Sequence, residues 1–254
     1  MTSSSRSARE EILARIKTAL SGADHSIHGF IRDEATQRDD GSHLVQATRA
    51  RCAENRALLV ERFKREFAAV GGMLHLASSA QAACDHVIRI ASTHKTRLGV
   101  GWNVPIVDAI GLRSRLEQGG IQFFNGSGGV NDQDFANRAA AAEIGVTTVD
   151  YALADTGTLV LRTGLGRARS VSLLPPVHIA LLKPDQIIPG LDELFPLLAD
   201  TSAGSNSSLD SALTFITGPS RTADIELTLV VGVHGPQELH VVLLDEDDRS
   251  RERS

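Results

Sequence analysis

Aromatic residues are scarce: Phe, Trp and Tyr make up 4% of the 254 positions, against 42% for apolar residues as a whole. Such a chain builds its core from Ala, Val, Leu and Ile, the composition of sheets covered on both faces by helices, and an α/β fold is expected. Cysteine is nearly absent. Cys52 and Cys84 form no CxxC pair from which an iron-sulfur or zinc site is assembled, so any redox cofactor belongs to another chain and no metal site is expected here. Both read as small apolar fillers on helices. There is no basic excess either. The net charge is −5, and no cluster of Lys or Arg is large enough to track a phosphate backbone, which argues against nucleic-acid binding. No window reaches the roughly 18 apolar residues that span a bilayer. The opening MTSSSRSARE lacks the apolar centre of a signal peptide, and a cytoplasmic location is expected. Standard catalytic signatures are missing too: there is no P-loop, no HExxH and no Ser-His-Asp order, and GVGWNV at 99–104 holds only the first two glycines of a dinucleotide fingerprint.

What is present is an alternation. An amphipathic helix opens with Ser7 and Glu10 at capping-box spacing and carries Ile12, Leu13, Ile16, Ala19 and Leu20 on one face. The polar stretch 23–42 has no period and reads as a loose tether. A long helix is expected over about 44–70, with Leu59, Phe63, Phe67 and Val70 on one side and Gly71-Gly72 to stop it. Short apolar runs beginning at 73, 97 and 121 then alternate with helical patterns over 79–92, 104–117 and 133–143. Strand and helix in turn imply βαβ units and a mostly parallel, doubly wound sheet. Beyond 145 the rhythm changes. VDYALADTGTLVLRTG reads as two strands about a turn, VHIALLKP as a buried strand, LDELFPLLAD as a short helix, and LTLVVGVHG to LHVVLLD as a C-terminal hairpin. The domain plan is an N-terminal helix and flexible arm (1–43), one main domain (44–246) and a charged tail (247–254).

Two loops attract chemistry. In GPSRTADIE (218–226), Gly218 allows close approach of backbone to a ligand, Pro219 stiffens the turn, Ser220 and Thr222 add hydroxyls, and Arg221 offers a bidentate fork for a carboxylate or phosphate. If a helix follows, free backbone N–H groups join the grip. Against this, Asp224 and Glu226 would repel an anion, and Ser220 or Thr222 would serve equally well as a helix cap. In ADTGT (154–158), Asp155 stands where a buried strand ends and is a candidate acid, base or nucleophile; it is also an ordinary turn former, bonding the amides of Gly157 and Thr158. Asp150 is a weaker candidate. Arg167 and Arg169 in GLGRARS read as a solvated hairpin edge, and His178 and His234 as core or turn histidines that double as possible ligands.

Taken in order and at their distances, GVTTVDYALADTGTLVL, GRARSVSLLPPVHIALL and LTFITGPSRTADIELTLVVGVHGPQELHVVLLD resemble the lactate utilization protein C family of LUD-domain proteins, over about 145–245. The opening AREEILARIKTAL is similar to that family's N-terminal arm. The resemblance implies a fold of the NagB/RpiA/CoA-transferase-like type and a place in oxidising L-lactate to pyruvate, as a subunit without clusters whose partners carry iron-sulfur clusters. The positions matching the motifs are Asp155, Thr156, Gly157 and Thr158; His178; Gly218, Ser220, Arg221, Thr222, Asp224 and Glu226; and His234 with Gly235. On this reading Asp155 or His234 moves a proton, and Thr156, Gly157, Thr158, His178, Gly218, Ser220, Arg221 and Thr222 bind a small carboxylate. Two alternatives stay open: a stand-alone sugar-phosphate or acyl-CoA enzyme of the same fold group, and a structural scaffold whose N-terminal helix docks on another subunit or a second copy.

Overall fold

The computed structural model describes residues 38–126, 133–203, 212–223, 229–231 and 234–245. The chain divides into two units, Met1–Leu44 and Val45–Ser254. The amphipathic helix expected near the N-terminus, Asp224, Glu226 and the charged tail all lie outside the described residues. Of the first unit only the start of helix α1 (Arg38–Glu54) is described, so helix begins within what the sequence suggests is tether.

The expected long helix is two. Asn55 leaves helical geometry (φ −103°, ψ 14°), and its side-chain amide donates to the Arg51 carbonyl. Asn side chains compete in this way with the helical ladder, which restarts as α2 (Arg56–Ala69). Leu59, Phe63 and Phe67 form the buried stripe of α2, with the two phenyl rings stacked 5.3 Å apart. The helix ends where Gly71 takes φ +88° and the Gly72 amide returns to the Phe67 carbonyl.

Six strands build the main sheet, in the spatial order β1 (Met73–Ala77), β12 (Glu238–Leu244), β7 (Val177–Leu182), β4 (Ile144–Thr148), β2 (Leu98–Gly101) and β3 (Gln122–Asn125), with every neighbouring pair parallel. All six residues of β7 are buried, as a central parallel strand requires. Helix α3 (Ala80–Thr93) is capped by the Ser79 hydroxyl, which accepts from the Ala82 amide, and packs its Ala83, Cys84, Val87, Ile90 and Ala91 face on β1 and β12. Helices α4 (Pro105–Ala109) and α5 (Leu112–Gln118) follow β2, and α5 touches both α3 and β3. Helix α6 (Gln133–Ala141) packs on β2 and against α7 (Ser170–Leu173), which lies on β4 and β7. This is the mostly parallel, doubly wound arrangement expected. The chain leaves β2 toward one edge and β4 toward the other, so strand order reverses between them.

A second sheet has the order β8 (Ile187–Ile188), β5 (Tyr151–Leu153), β6 (Thr158–Thr163) and β9 (Ala212–Ile216). The expected hairpin of β5 and β6 is present and antiparallel. Alternation decides its two faces: Ala152, Leu159 and Leu161 join the main core, whereas Leu153 and Val160 join Val45, Ile188, Leu194 and Leu197 in a smaller cluster under α8 (Leu191–Ala203).

The C-terminal hairpin is a correction. The run 227–233 supplies β11 (Leu229–Val231), which pairs antiparallel with β10 (Arg221–Ala223), while LHVVLL leaves it and enters the main sheet as β12 between β1 and β7. Parallel pairing on both sides buries an apolar strand more completely than a hairpin with one open face, and residues 239–244 are all buried.

Candidate functional site

Three of the motif loops meet at one corner, against the end of α2. The turn after β5 places Gly157 at φ +64°, where an added Cβ would stand 2.5 Å from the Phe67 backbone nitrogen. Gly218 has φ +83°, and a Cβ there would stand 2.4 Å from the Val70 carbonyl oxygen. Close backbone packing on a helix end, and not only left-handed geometry, therefore demands glycine at both positions. A row of hydroxyls joins the loops: Thr156 Oγ1 lies 2.8 Å from Thr158 Oγ1, which lies 2.8 Å from Thr217 Oγ1. On the far side the Ser220 amide donates to the Pro236 carbonyl at 2.8 Å, and Ser220 packs against Gly235, beside the exposed His234.

Arg221 is exposed, and its Nη2 donates to the Val70 carbonyl at 3.2 Å, a cation at a helix C-terminus. The backbone part of the expected grip is corrected here. Residues Arg221–Ala223 form a strand and not a helix start, and the Ser220 amide is already spent on Pro236. The backbone of Thr222 is paired with Val230. Among the described residues, Thr156, Thr217, Arg221 and His234 are exposed at this corner, while Ser220 is half-buried.

Asp155 is directed elsewhere. Its amide donates to the Pro189 carbonyl, its carboxylate lies against Gly190 just before α8, and Oδ1 is enclosed with no hydrogen-bond partner among the described residues. Thr158 is buried, so its hydroxyl links loops instead of facing a ligand. His178 is sealed in the core on β7 at 0% exposure, with Nε2 2.8 Å from Thr147 Oγ1 and Nδ1 without a partner among the described residues. Burial drives its pKa down to about 3, so the ring is neutral at physiological pH. A small carboxylate has no route to it without opening the sheet. Burial likewise pushes the thiols of Cys52 and Cys84 up, away from the thiolate that ligates iron.

The reversal of strand order between β2 and β4 defines a second location, because open α/β sheets bind ligands beyond the carboxyl ends of strands at such a point. There the Trp102 indole donates to the Ala168 carbonyl, and the Asn103 amide to that of Gly166. The expectation that Arg167 is a solvated edge is overturned. It pairs with Asp150 at 2.7 Å, lies 5.2 Å from the Trp102 ring centre, and shares that carboxylate with the Arg162 amide. Nearby, Asn125 Oδ1 is enclosed without a partner among the described residues. The length of β6, roughly 17 Å at about 3.3 Å per residue, separates this group from the ADTGT corner. A cleft of about 350 Å³ opens elsewhere, at the ends of β1 and β12; its walls hold Arg56 and Lys64 against Glu61 and Asp245, and none of the motif residues line it. Mixed charge and distance from the motifs give it less weight than the other two locations.

Fold and site together define a doubly wound α/β protein with its motif loops gathered on the end of one helix. The LUD domain model matches residues 60–244, and the chain belongs to that family. Among curated relatives, lactate utilization protein C of Halalkalibacterium halodurans is 38% identical over 156 residues, covering 61% of this chain and 65% of its own. That of Geobacillus sp. (strain WCH70) is 35% identical over 153 residues, covering 58% and 62%. That of Bacillus subtilis is 38% identical over 109 residues, covering 43% and 45%. The matched region thus spans less than two thirds of each of these relatives. A solved DUF162 family protein from Deinococcus radiodurans shares the fold, with a TM-score of 0.53 at 21% identity over 74% of this chain and 98% of that one. Among the described residues no helix is long and apolar enough to cross a membrane.

Proposed function

We propose that the chain is a subunit of a lactate-utilization system that oxidises L-lactate to pyruvate, and that it holds a small carboxylate at the corner formed by ADTGT, GPSR and HGP. The observation that carries this is the hydroxyl row of Thr156, Thr158 and Thr217, which ties one motif loop to the next and leaves Arg221, Ser220 and His234 beside it. The names of the curated relatives supply the substrate system. Arg221, steadied by the Val70 carbonyl, binds the carboxylate, and the hydroxyls of Ser220 and Thr156 complete the grip. His234, exposed where Asp155 is enclosed, is the better proton acceptor. Electrons pass to partner subunits carrying iron-sulfur clusters, since neither cysteine here is suited to ligate one.

Deleting the gene is expected to abolish growth on L-lactate. Wild-type chain restores growth, and a folded Arg221→Ala chain does not. A tagged chain from lactate-grown cells is expected to co-purify iron-sulfur proteins. Normal growth of the deletion strain, with no second copy of the gene, refutes the proposal.

A stand-alone enzyme acting on a sugar phosphate or acyl-CoA is favoured by one observation, the group of Trp102, Asn103, Arg167 and Asp150 at the strand-order reversal. It requires turnover by the isolated chain and loss of that turnover in Arg167→Ala but not in Arg221→Ala.

A further inference from the structure

At the N-terminal end of β12, two residues beyond the Pro236 carbonyl that accepts from the Ser220 amide, histidine and carboxylate groups converge. His94 closes α3, and Glu238 and His240 stand two apart on β12, so their side chains share one sheet face. Glu238 Oε2 lies 3.2 Å from His94 Nε2 and 3.1 Å from His240 Nε2, and all three ligand atoms lie within 4.8 Å of one another. With ligand bonds of about 2.0–2.2 Å, a tetrahedral zinc centre sets its ligand atoms roughly 3.3 Å apart, close to the two short separations here. The other nitrogen of His240 is also engaged: Nδ1 lies 3.0 Å from Nε2 of His75 on β1, whose ring stacks on that of His240 with centres 5.3 Å apart. A ligating histidine has the same need, because a partner on its second nitrogen fixes the tautomer and aims the ring. His86 packs against His75, centre to centre 5.2 Å, and its Nε2 donates to the Leu76 carbonyl. His94 and Glu238 are partly exposed, so the group is open to solvent on one side.

We propose that His94, Glu238 and His240 form a site for a borderline divalent transition metal, zinc above all, with His75 as the group that orients His240. Two imidazoles and a carboxylate leave an open position for water. With metal bound, His240 carries its proton on Nδ1 and donates it to His75 Nε2. The site joins the end of α3 to the start of β12. Glu238 and His240 lie at the amino end of β12, the end at which the HGP loop enters the strand. It acts on stability and on the setting of β12. Residues 94 and 238 are far apart in sequence and neither lies in a recognised metal motif, which is why the sequence suggests no metal.

The test is calorimetric titration of the chelator-stripped full-length chain with Zn²⁺, with Co²⁺ absorption as a spectroscopic check. One equivalent should bind, and Co²⁺ should give the intense visible bands of a low-coordinate N/O site. Zinc at a hundredfold excess over its Kd should raise Tm by roughly 5–10 °C. Glu238→Gln and His94→Ala should abolish the site, His75→Phe should weaken it by about 10- to 100-fold, and His43→Ala, on α1, should leave it intact. Circular dichroism of the metal-free variants checks that they are folded. Failure of wild-type chain to bind zinc overturns the proposal, and so does binding that survives unchanged in Glu238→Gln and His94→Ala. Neither outcome touches the lactate proposal, which rests on other residues.

Discussion

Acid should weaken this fold at His178 above all. His178 is wholly enclosed on β7, with Thr147 on one ring nitrogen and no partner on the other among the described residues, so a proton added to the ring creates a buried charge with no counter-charge beside it there. Burial lowers its pKa from 6.5 to about 3. The unfolded chain takes up the proton near pH 6.5 while the folded chain refuses it until about pH 3, so the unfolded state binds more protons throughout that window. The stability that neutral His178 permits is complete above pH 6.5 and is lost as pH falls below it, by about 1.4 kcal/mol per pH unit. The unfolded ring is half protonated at pH 6.5 already, so between pH 6.5 and 4.5 the loss is roughly 2.3 kcal/mol, a large share of a typical total. Urea unfolding of wild type and His178→Gln at a series of pH values isolates the effect, because the carboxylates and remaining histidines titrate alike in both and cancel in the difference. The wild-type curve should lose about 2.3 kcal/mol more than the variant over those two units. Parallel curves would refute the reasoning and mean that the ring is hydrated or charged in the folded state.

Substituting Gly157 by Ala puts a Cβ onto the Phe67 backbone at a left-handed φ, and should cost roughly 2–5 kcal/mol in urea unfolding; a change below 1 kcal/mol would mean that the turn does not pack on α2 as described. Arg167→Ala leaves the mostly buried Asp150, among the described residues, with the Arg162 amide alone and should cost about 1.5–3 kcal/mol, measured the same way at pH 7; a loss under 0.5 kcal/mol would return Arg167 to the solvated edge that its sequence context suggests.

The strand and helix alternation from 73 to 148 was legible because each element shows its own period and is punctuated by Gly, Asn or Ser. The β5–β6 hairpin was legible because its turn residues are local. The place of β12 was not. Its run LHVVLL follows an apolar run and a glycine turn, which is also how a hairpin looks, and the pairing that decides the matter is with β1 and β7, far away in sequence. The motif loops stand out in the sequence as a set, and the structure gathers Thr156, Thr158, Ser220, Arg221 and His234 at one corner while His178 sits in the core and Asp155 faces Gly190. Nothing local separates a histidine that lines a ligand from one that fills a strand. The Arg167–Asp150 pair and the His94, Glu238 and His240 group were missed for a similar reason: each joins residues on different elements, and the only local trace is His two positions after Glu on a strand.

Binding of a small carboxylate of the lactate system at the corner holding Arg221 follows from the proposed function. It is tested most directly by calorimetric titration of the purified chain with L-lactate and with pyruvate, alongside Arg221→Ala at matched Tm. Saturable binding of at least one acid, lost in the variant, is the predicted result. No heat from either acid, or equal binding by wild type and Arg221→Ala, would contradict it.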